Sequence, residues 1–227
     1  LSADYSQIEL RIIAAMSGDA GLKEAFAQGQ DIHAATAAKI YDVSVDAVTR
    51  EMRSKAKMVN FGIPYGITPF GLAQRLGSNR EEASNLISQY FNRFPSVREF
   101  IDDTLAFARR NGYVETMTGR RRYVRDVNSR NMTTRMGAER NAINMPVQGT
   151  AADMIKIAMS RVHLALAKAG HSTKLLLQVH DELVFEAPKT EIKIVEPIIR
   201  DAMTNALPMD VPIEVEIGHG QNWLDAH

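Results

Sequence analysis

Leu177-Gln-Val-His180-Asp181-Glu182-Leu-Val-Phe-Glu186 carries an apolar run up to a His-Asp-Glu triplet and resumes it immediately afterwards. Two apolar stretches around a short polar break read as a hairpin with acids at its tip. At the other end of the chain, Leu1-Ser-Ala-Asp4-Tyr5-Ser-Gln-Ile-Glu9-Leu-Arg11 also sets an acid in an apolar, strand-like setting. A carboxylate at the end of an apolar strand is costly to desolvate without a cation. Two of them brought together repel unless a divalent metal bridges them. That pairing underlies two-metal phosphoryl transfer, with the ions roughly 3.5–4 Å apart. Each segment alone also has an ordinary explanation. Asp-Glu is common turn chemistry, and Asp4 could cap a helix starting near Gln7.

Between them lies Arg53-Ser-Lys-Ala-Lys57-Met-Val-Asn-Phe61-Gly-Ile-Pro-Tyr65-Gly66. Arg53, Lys57, Phe61 and Tyr65 recur every four residues, so on a helix they form one slowly rotating stripe roughly 18 Å long. The stripe starts with two cations and ends with two rings. A nucleoside triphosphate has the same polarity, with phosphates at one end and a flat base at the other. Arginine can take phosphate oxygens in a fork, and lysine acts as a point charge. The alternative is an amphipathic helix with a solvated basic start and core aromatics. Such a helix would place cations and rings on opposite faces rather than on one.

The pattern along the chain predicts a strand over residues 1–6 and a helix over Gln7–Met16. Helices are expected at Asp19–Gln28, Asp31–Tyr41 and Val45–Phe61, with Pro64 ending or kinking the last near Ile63. Ser78-Asn-Arg-Glu81 resembles a capping box opening the next helix, Pro95 breaks it, and Val97–Asn111 resumes. Gly112–Val124 reads as a hairpin turning at Thr118-Gly119. A long helix follows with Arg140, Asn144 and Gln148 near one face and Pro146 as a kink. The Leu175–Phe185 hairpin, a helix at Glu191–Leu207 and a strand at Val211–Ile217 complete the chain. Strands at both ends and helices in the middle predict an α+β fold.

Composition fits a globular protein: 227 residues, 45% hydrophobic and 24% charged, suffice for a sizeable core. The absence of cysteine excludes disulfides and thiolate metal sites. No apolar run approaches the ~18 residues of a membrane span. A formal net charge of zero argues against binding nucleic acid by bulk attraction. Distribution says more, because Arg120, Arg121, Arg122, Arg125, Arg130, Arg135 and Arg140 stand against only Asp126 and Glu139. Such a segment either neutralises phosphates or is a solvated, salt-bridged loop.

Taken together, these motifs resemble those of family A DNA polymerases, the bacterial DNA polymerase I type. Asp4 to Arg11 resembles that family's first palm motif, Arg53 to Gly66 its fingers helix, and Gln178 to Glu182 its second palm motif. Asp31-Ile-His33, Thr118-Gly119-Arg120-Arg121-Arg122, Arg140 through Asp153 and the closing Gly218 to His227 are similar as well. The resemblance implies an antiparallel palm sheet with helices, built from 1–11 and 128–227, and a mainly helical fingers insertion at 12–127. The family's thumb and part of its palm would precede Leu1, so the chain is expected to be a fragment, weak or inactive alone.

The resemblance also implies site roles. Asp4 and Asp181, with the Tyr5 main-chain carbonyl, would hold two Mg²⁺ ions. Arg53, Lys57 and His33 would grip the triphosphate, Lys57 also giving a proton to pyrophosphate. Phe61 would pack on the incoming nucleotide and Tyr65 on the nascent or template base. Glu9 would exclude a 2′-hydroxyl. Arg140, Asn144 and Gln148 would reach primer-template DNA, His180 the primer end, and Glu182 would support the metal site from behind. The implied partners are primer-template DNA and a dNTP, with no membrane, in a monomer of the bacterial cytoplasm and nucleoid. On sequence alone, a single-subunit RNA polymerase, a non-catalytic DNA-binding module and a metal-dependent phosphohydrolase stay open as alternatives. Glu9 and the Tyr65-Gly66 ending favour deoxyribonucleotides over ribonucleotides. The long cation-to-ring stripe has no purpose in the phosphohydrolase.

Overall fold

Ser2-Ala-Asp-Tyr5 alternates between two faces, and its inward pair, Ala3 and Tyr5, is almost wholly buried. This segment is β1 (Ser2–Tyr5) of the computed structural model, which describes residues 1–226. It is followed by α1 (Ile8–Ser17), α2 (Ala20–Ala27), α3 (Ile32–Tyr41), α4 (Arg50–Gly62), α5 (Pro69–Leu76), α6 (Arg80–Arg93) and α7 (Pro95–Asn111). The hairpin β2 (Tyr113–Glu115) and β3 (Arg121–Tyr123) leads into α8 (Met132–Ala169). Then come β4 (Lys174–Val179), β5 (Glu182–Glu186), α9 (Ile192–Thr204) and β6 (Val215–Gly218). The fold is α+β, and its sheets are antiparallel. Among the described residues no helix is long and apolar enough to cross a membrane.

Two compact units emerge: Leu1–Glu9 with Thr150–His227, and Leu10–Gly149. The first holds a four-stranded sheet in the order β4-β5-β1-β6. The first strand therefore pairs with strands from the far end of the chain on both sides, Ala3 opposite Leu183 and opposite Ile217. Ala3, Leu183, Phe185, Val195, Ile199 and Met203 supply much of this unit's core. The Tyr5 hydroxyl, deep in it, donates to the Met203 carbonyl at 2.8 Å, which satisfies the one polar atom the ring carries inward.

The second unit is helical, and its helices start and stop where local chemistry says they should. Asp19, Asp31, Thr49, Thr68 and Asn79 each accept a main-chain N–H of the first turn that follows. The cap of α6 is Asn79 rather than the expected Ser78: its Oδ1 takes the Glu82 N–H at 2.8 Å, one residue later than the motif suggested. The helix expected over Val45–Phe61 is a short 3₁₀ turn, Val45–Ala47, and then α4 capped by Thr49. The strand expected over Val211–Ile217 shrinks to Val215–Gly218, because β1 offers four residues to pair with and Pro212 lacks an N–H. Pro146 lies inside α8 without ending it.

The compact units divide at Gly149/Thr150. The cause is packing: Ala138, Ala142 and Met145 of α8 form one buried cluster with Ala108, Val114, Val124 and Val127. Gly149 extends this contact, since a Cβ there would sit 2.6 Å from Thr116 Cγ2.

Candidate active site

In the first unit the sheet register assembles the acids. Asp4 is directly opposite Glu182 on one side and Glu216 on the other. The Tyr5 N–H donates to the Asp181 carbonyl at 3.3 Å, so the two motif aspartates belong to neighbouring strand ends. Oδ1 of Asp4 is buried. The β4–β5 turn is only His180-Asp181, and His180 takes a φ of 54° to close it. Gln7, just past β1, has a φ of 53°. Left-handed backbone at non-glycine residues costs roughly 1–3 kcal/mol each, and both instances border the acids.

Like charges opposite one another on paired strands are destabilising. Glu182 escapes this by being tied down: its carboxylate accepts from Ser2 Oγ, and from Trp223 Nε1 at 2.7 Å. Glu9 is relieved differently. Burial, and then the charge of Asp181, push its carboxyl above the usual range. Glu9 and Asp181 are therefore electrostatic neighbours. The exposed His180 closes the tip, its carbonyl accepting from Gln178 Nε2 at 2.8 Å.

These residues fit a hard divalent cation. The donors are all oxygen, and they are few, so water or other oxygen ligands would have to complete the coordination. Among the described residues no three His, Cys, Asp or Glu side chains form a ready-made metal cage. A metal here would be held by the aspartates and main-chain carbonyls together with ligands from outside the chain.

In the second unit, Arg53, Lys57 and Phe61 all lie on the exposed face of α4, with Ala56, Val59 and Asn60 buried behind them. Arg53 is held by Asp31 at 2.7 Å through both Nε and Nη2. Asp31 also caps α3, accepting the His33 and Ala34 N–H groups. Burial would raise its carboxyl, but the Arg53 hydrogen bond and the two amides hold it below the ordinary value. Both partners are more than 40% exposed, so the pair is worth under about 1 kcal/mol and an incoming polyanion can displace it. His33 sits on the first turn of α3, buried beside the Phe61 ring, with centroids 5.5 Å apart. Burial chiefly, then Arg53 and Lys57, lower its pKa against the opposing pull of Asp31.

Tyr65 leaves the stripe. α4 ends at Gly62 and tightens into a 3₁₀ turn, Ile63–Tyr65, that Gly66 closes with a φ of 68°. The Gly66 N–H donates to Ile63 and the Ile67 N–H to Gly62, the paired bonds of a Schellman stop. Tyr65 thereby joins Phe61, Arg75, Arg140 and Asn144 around a cavity of about 350 Å³. Asn144 Oδ1 is buried and has no hydrogen-bond partner among the described residues. Gln148 is exposed and does not line that cavity.

Sequence reasoning missed three residues that hold this site: Ser2 and Trp223 on Glu182, and Asn60 on His33. Their partners lie 180, 41 and 27 residues away, beyond any local pattern. Asp31 was within reach, since an Asp ahead of a helical run is a capping signal.

The family model for DNA polymerase family A matches residues 1–225. A DNA polymerase I of Caldicellulosiruptor bescii is 48% identical over 225 residues, covering 99% of this chain and 26% of that protein. A thermostable DNA polymerase I of Thermus filiformis is 50% identical, covering 100% of this chain and 27% of its own length. Among solved structures, the POL domain of Pol1 from M. smegmatis, in complex with DNA primer-template and dNTP, superposes with a TM-score of 0.95 at 47% identity. That match covers 99% of this chain and 40% of the other. The chain spans about a quarter of the length of the curated relatives it matches. With these motifs, this sheet and these matches, the chain belongs to DNA polymerase family A.

Proposed function

We propose that this chain is the catalytic part of a DNA-directed DNA polymerase that extends a primer 3′-hydroxyl on a template and releases pyrophosphate. The observation that carries the proposal is the β1–β5 register, with Asp4 opposite Glu182 and Tyr5 bonded to Asp181. The family match supports it. Palm names suit the sheet-bearing residues, and fingers the α4 region. A DNA substrate puts the protein's work at the bacterial nucleoid, in the cytoplasm, and a monomer suffices for it.

Asp4, Asp181 and the Tyr5 main-chain carbonyl would hold two Mg²⁺ ions, which when bound acidify the 3′-hydroxyl and offset charge on the phosphates. The chain's own residues then bind and orient. Arg53 exchanges Asp31 for phosphate oxygens in a fork. Lys57 Nζ adds a point charge and gives a proton to the leaving pyrophosphate. Phe61 covers the base and sugar. Glu9 fills the space that a ribose 2′-hydroxyl needs. The 3′-oxygen attacks the α-phosphorus in line and the bond to the bridging oxygen breaks, so positioning and charge do the catalysis. Asn144 and Arg140 touch the primer-template from α8, Gln148 from its exposed position one turn on, and His180 the primer end. Glu182 keeps the hairpin tip in place through Ser2 and Trp223.

Single-nucleotide extension by the full-length protein tests this. Asp4→Ala and Asp181→Ala should each abolish turnover while circular dichroism stays unchanged. Turnover within tenfold of wild type, as an order of magnitude, would overturn the assignment. Primer binding without pyrophosphate release in the wild type would make it a binding module instead.

A further inference from the structure

Asn60 is 1% exposed, buried behind the cation stripe, and its side chain meets two partners on α3. Its Nδ2 lies 3.1 Å from His33 Nδ1 and donates to Thr36 Oγ1, also at 3.1 Å. Its Oδ1 is buried without a hydrogen-bond partner among the described residues. An amide nitrogen can only donate, so the His33 nitrogen it meets must accept. A neutral imidazole that accepts at Nδ1 carries its proton on Nε2. The nitrogen left for a ligand is then an N–H donor, which is what a phosphate oxygen requires. The opposite tautomer would present a lone pair and repel the phosphate.

We propose that Asn60 is a positioning residue for His33: its amide fixes the imidazole as the Nε2–H tautomer and holds the ring to donate to a triphosphate oxygen. The phosphate half rests on the function proposed above; the tautomer half does not. The charged and titratable neighbours of His33 agree with a neutral ring. Arg53 and Lys57 on α4 disfavour a second proton, and Asp31, which favours one, is already committed to Arg53 and the α3 amides. The ring also packs against Phe61, the two tilted by 50°. Thr36 does not choose between the two amide orientations, since a hydroxyl can donate or accept. The alternative orientation would turn the Asn60 oxygen to His33 and move the proton to Nδ1. The two cases are therefore distinguishable by where that proton sits.

Nitrogen-15 NMR of His33 at neutral pH in the wild-type chain decides it without relying on activity. The expected spectrum has a pyridine-type Nδ1 and a protonated Nε2. A protonated Nδ1 overturns the proposal. Asn60→Ala should mix the tautomers, and Asn60→Asp, whose carboxylate accepts, should move the proton to Nδ1. In the full-length protein, Asn60→Ala should raise the KM for a dNTP about tenfold, the scale of one hydrogen bond to a charged group. Made in a His33→Ala background, the same change should add nothing. An equal loss in both backgrounds would show that Asn60 merely packs α3 on α4, and would also overturn the proposal. If His33→Ala leaves KM unchanged while the wild-type tautomer is as expected, the phosphate role fails and the tautomer assignment stands.

Discussion

Glu9 keeps its proton to a higher pH than a free glutamate, first because it is buried and second because Asp181 is near. The folded chain thus binds this proton more tightly than the unfolded chain. Stability from Glu9 is present below its ordinary value of 4.5 and declines as pH rises through the folded pKa. Glu9→Gln should remove that decline, so the variant should be more stable than wild type above the window and not below it. Urea titrations on either side would reveal this. Asp181→Asn should lower the Glu9 pKa towards 4.5 but leave the burial part; an unmoved titration in carbon-13 NMR would contradict the electrostatic link. Asp31 has the opposite sign. Its depressed pKa gives stability that is complete above its ordinary 3.8 and fades as pH falls through the folded value. Asp31→Asn keeps a good cap but releases Arg53, so dNTP KM should fall by up to about fivefold, the scale of an exposed ion pair. A rise in KM would mean that Asp31 aims Arg53 rather than competing for it.

At the level of elements, the end of α4 depends on Gly66 more than on Pro64. A Cβ at Gly62 would come within 2.9 Å of Ile67, which packs over that last turn, so the stop is built from three residues. Pro64→Ile should therefore leave Tyr65 at its cavity and misincorporation nearly unchanged. Gly66→Ala forces a side chain into left-handed backbone and should cost about 1–2 kcal/mol in denaturant melts, with altered fidelity. This region also marks what the chain's text can disclose. The stripe of Arg53, Lys57 and Phe61 was legible because helical period is local, and Pro64 foretold a break. That the break would carry Tyr65 into a cavity with Arg140 and Asn144 was not, since those residues lie far along the chain. Likewise the hairpin tip at Asp181 was readable from apolar alternation, whereas the bonds that immobilise Glu182 come from Ser2 and Trp223. The capping error at Ser78 was of another kind, two adjacent capping residues competing for one helix start.

Across the whole chain, zero net charge conceals an uneven surface. Of the arginines after Gly119, Arg121 is spent on Glu115 at 2.6 Å and Arg135 on Ser129 and Glu139. Arg122 and Arg125 are exposed and line a cleft of about 460 Å³ with Tyr123 and Asn141. Arg125→Ala should weaken DNA binding for all sequences alike and reduce the slope of log K against log salt by about 1. A slope unchanged from wild type would assign Arg125 to solvent. Arg121→Ala should act mainly on the β2–β3 hairpin, whose Tyr113 ring it also covers.

Trp223 is the chain's single tryptophan, and its indole N–H is bonded to Glu182, the residue next to Asp181. Intrinsic fluorescence is thus an optical gauge wired to the acidic tip. Titrating magnesium into the label-free protein should shift its emission, and Glu182→Gln should mute that response.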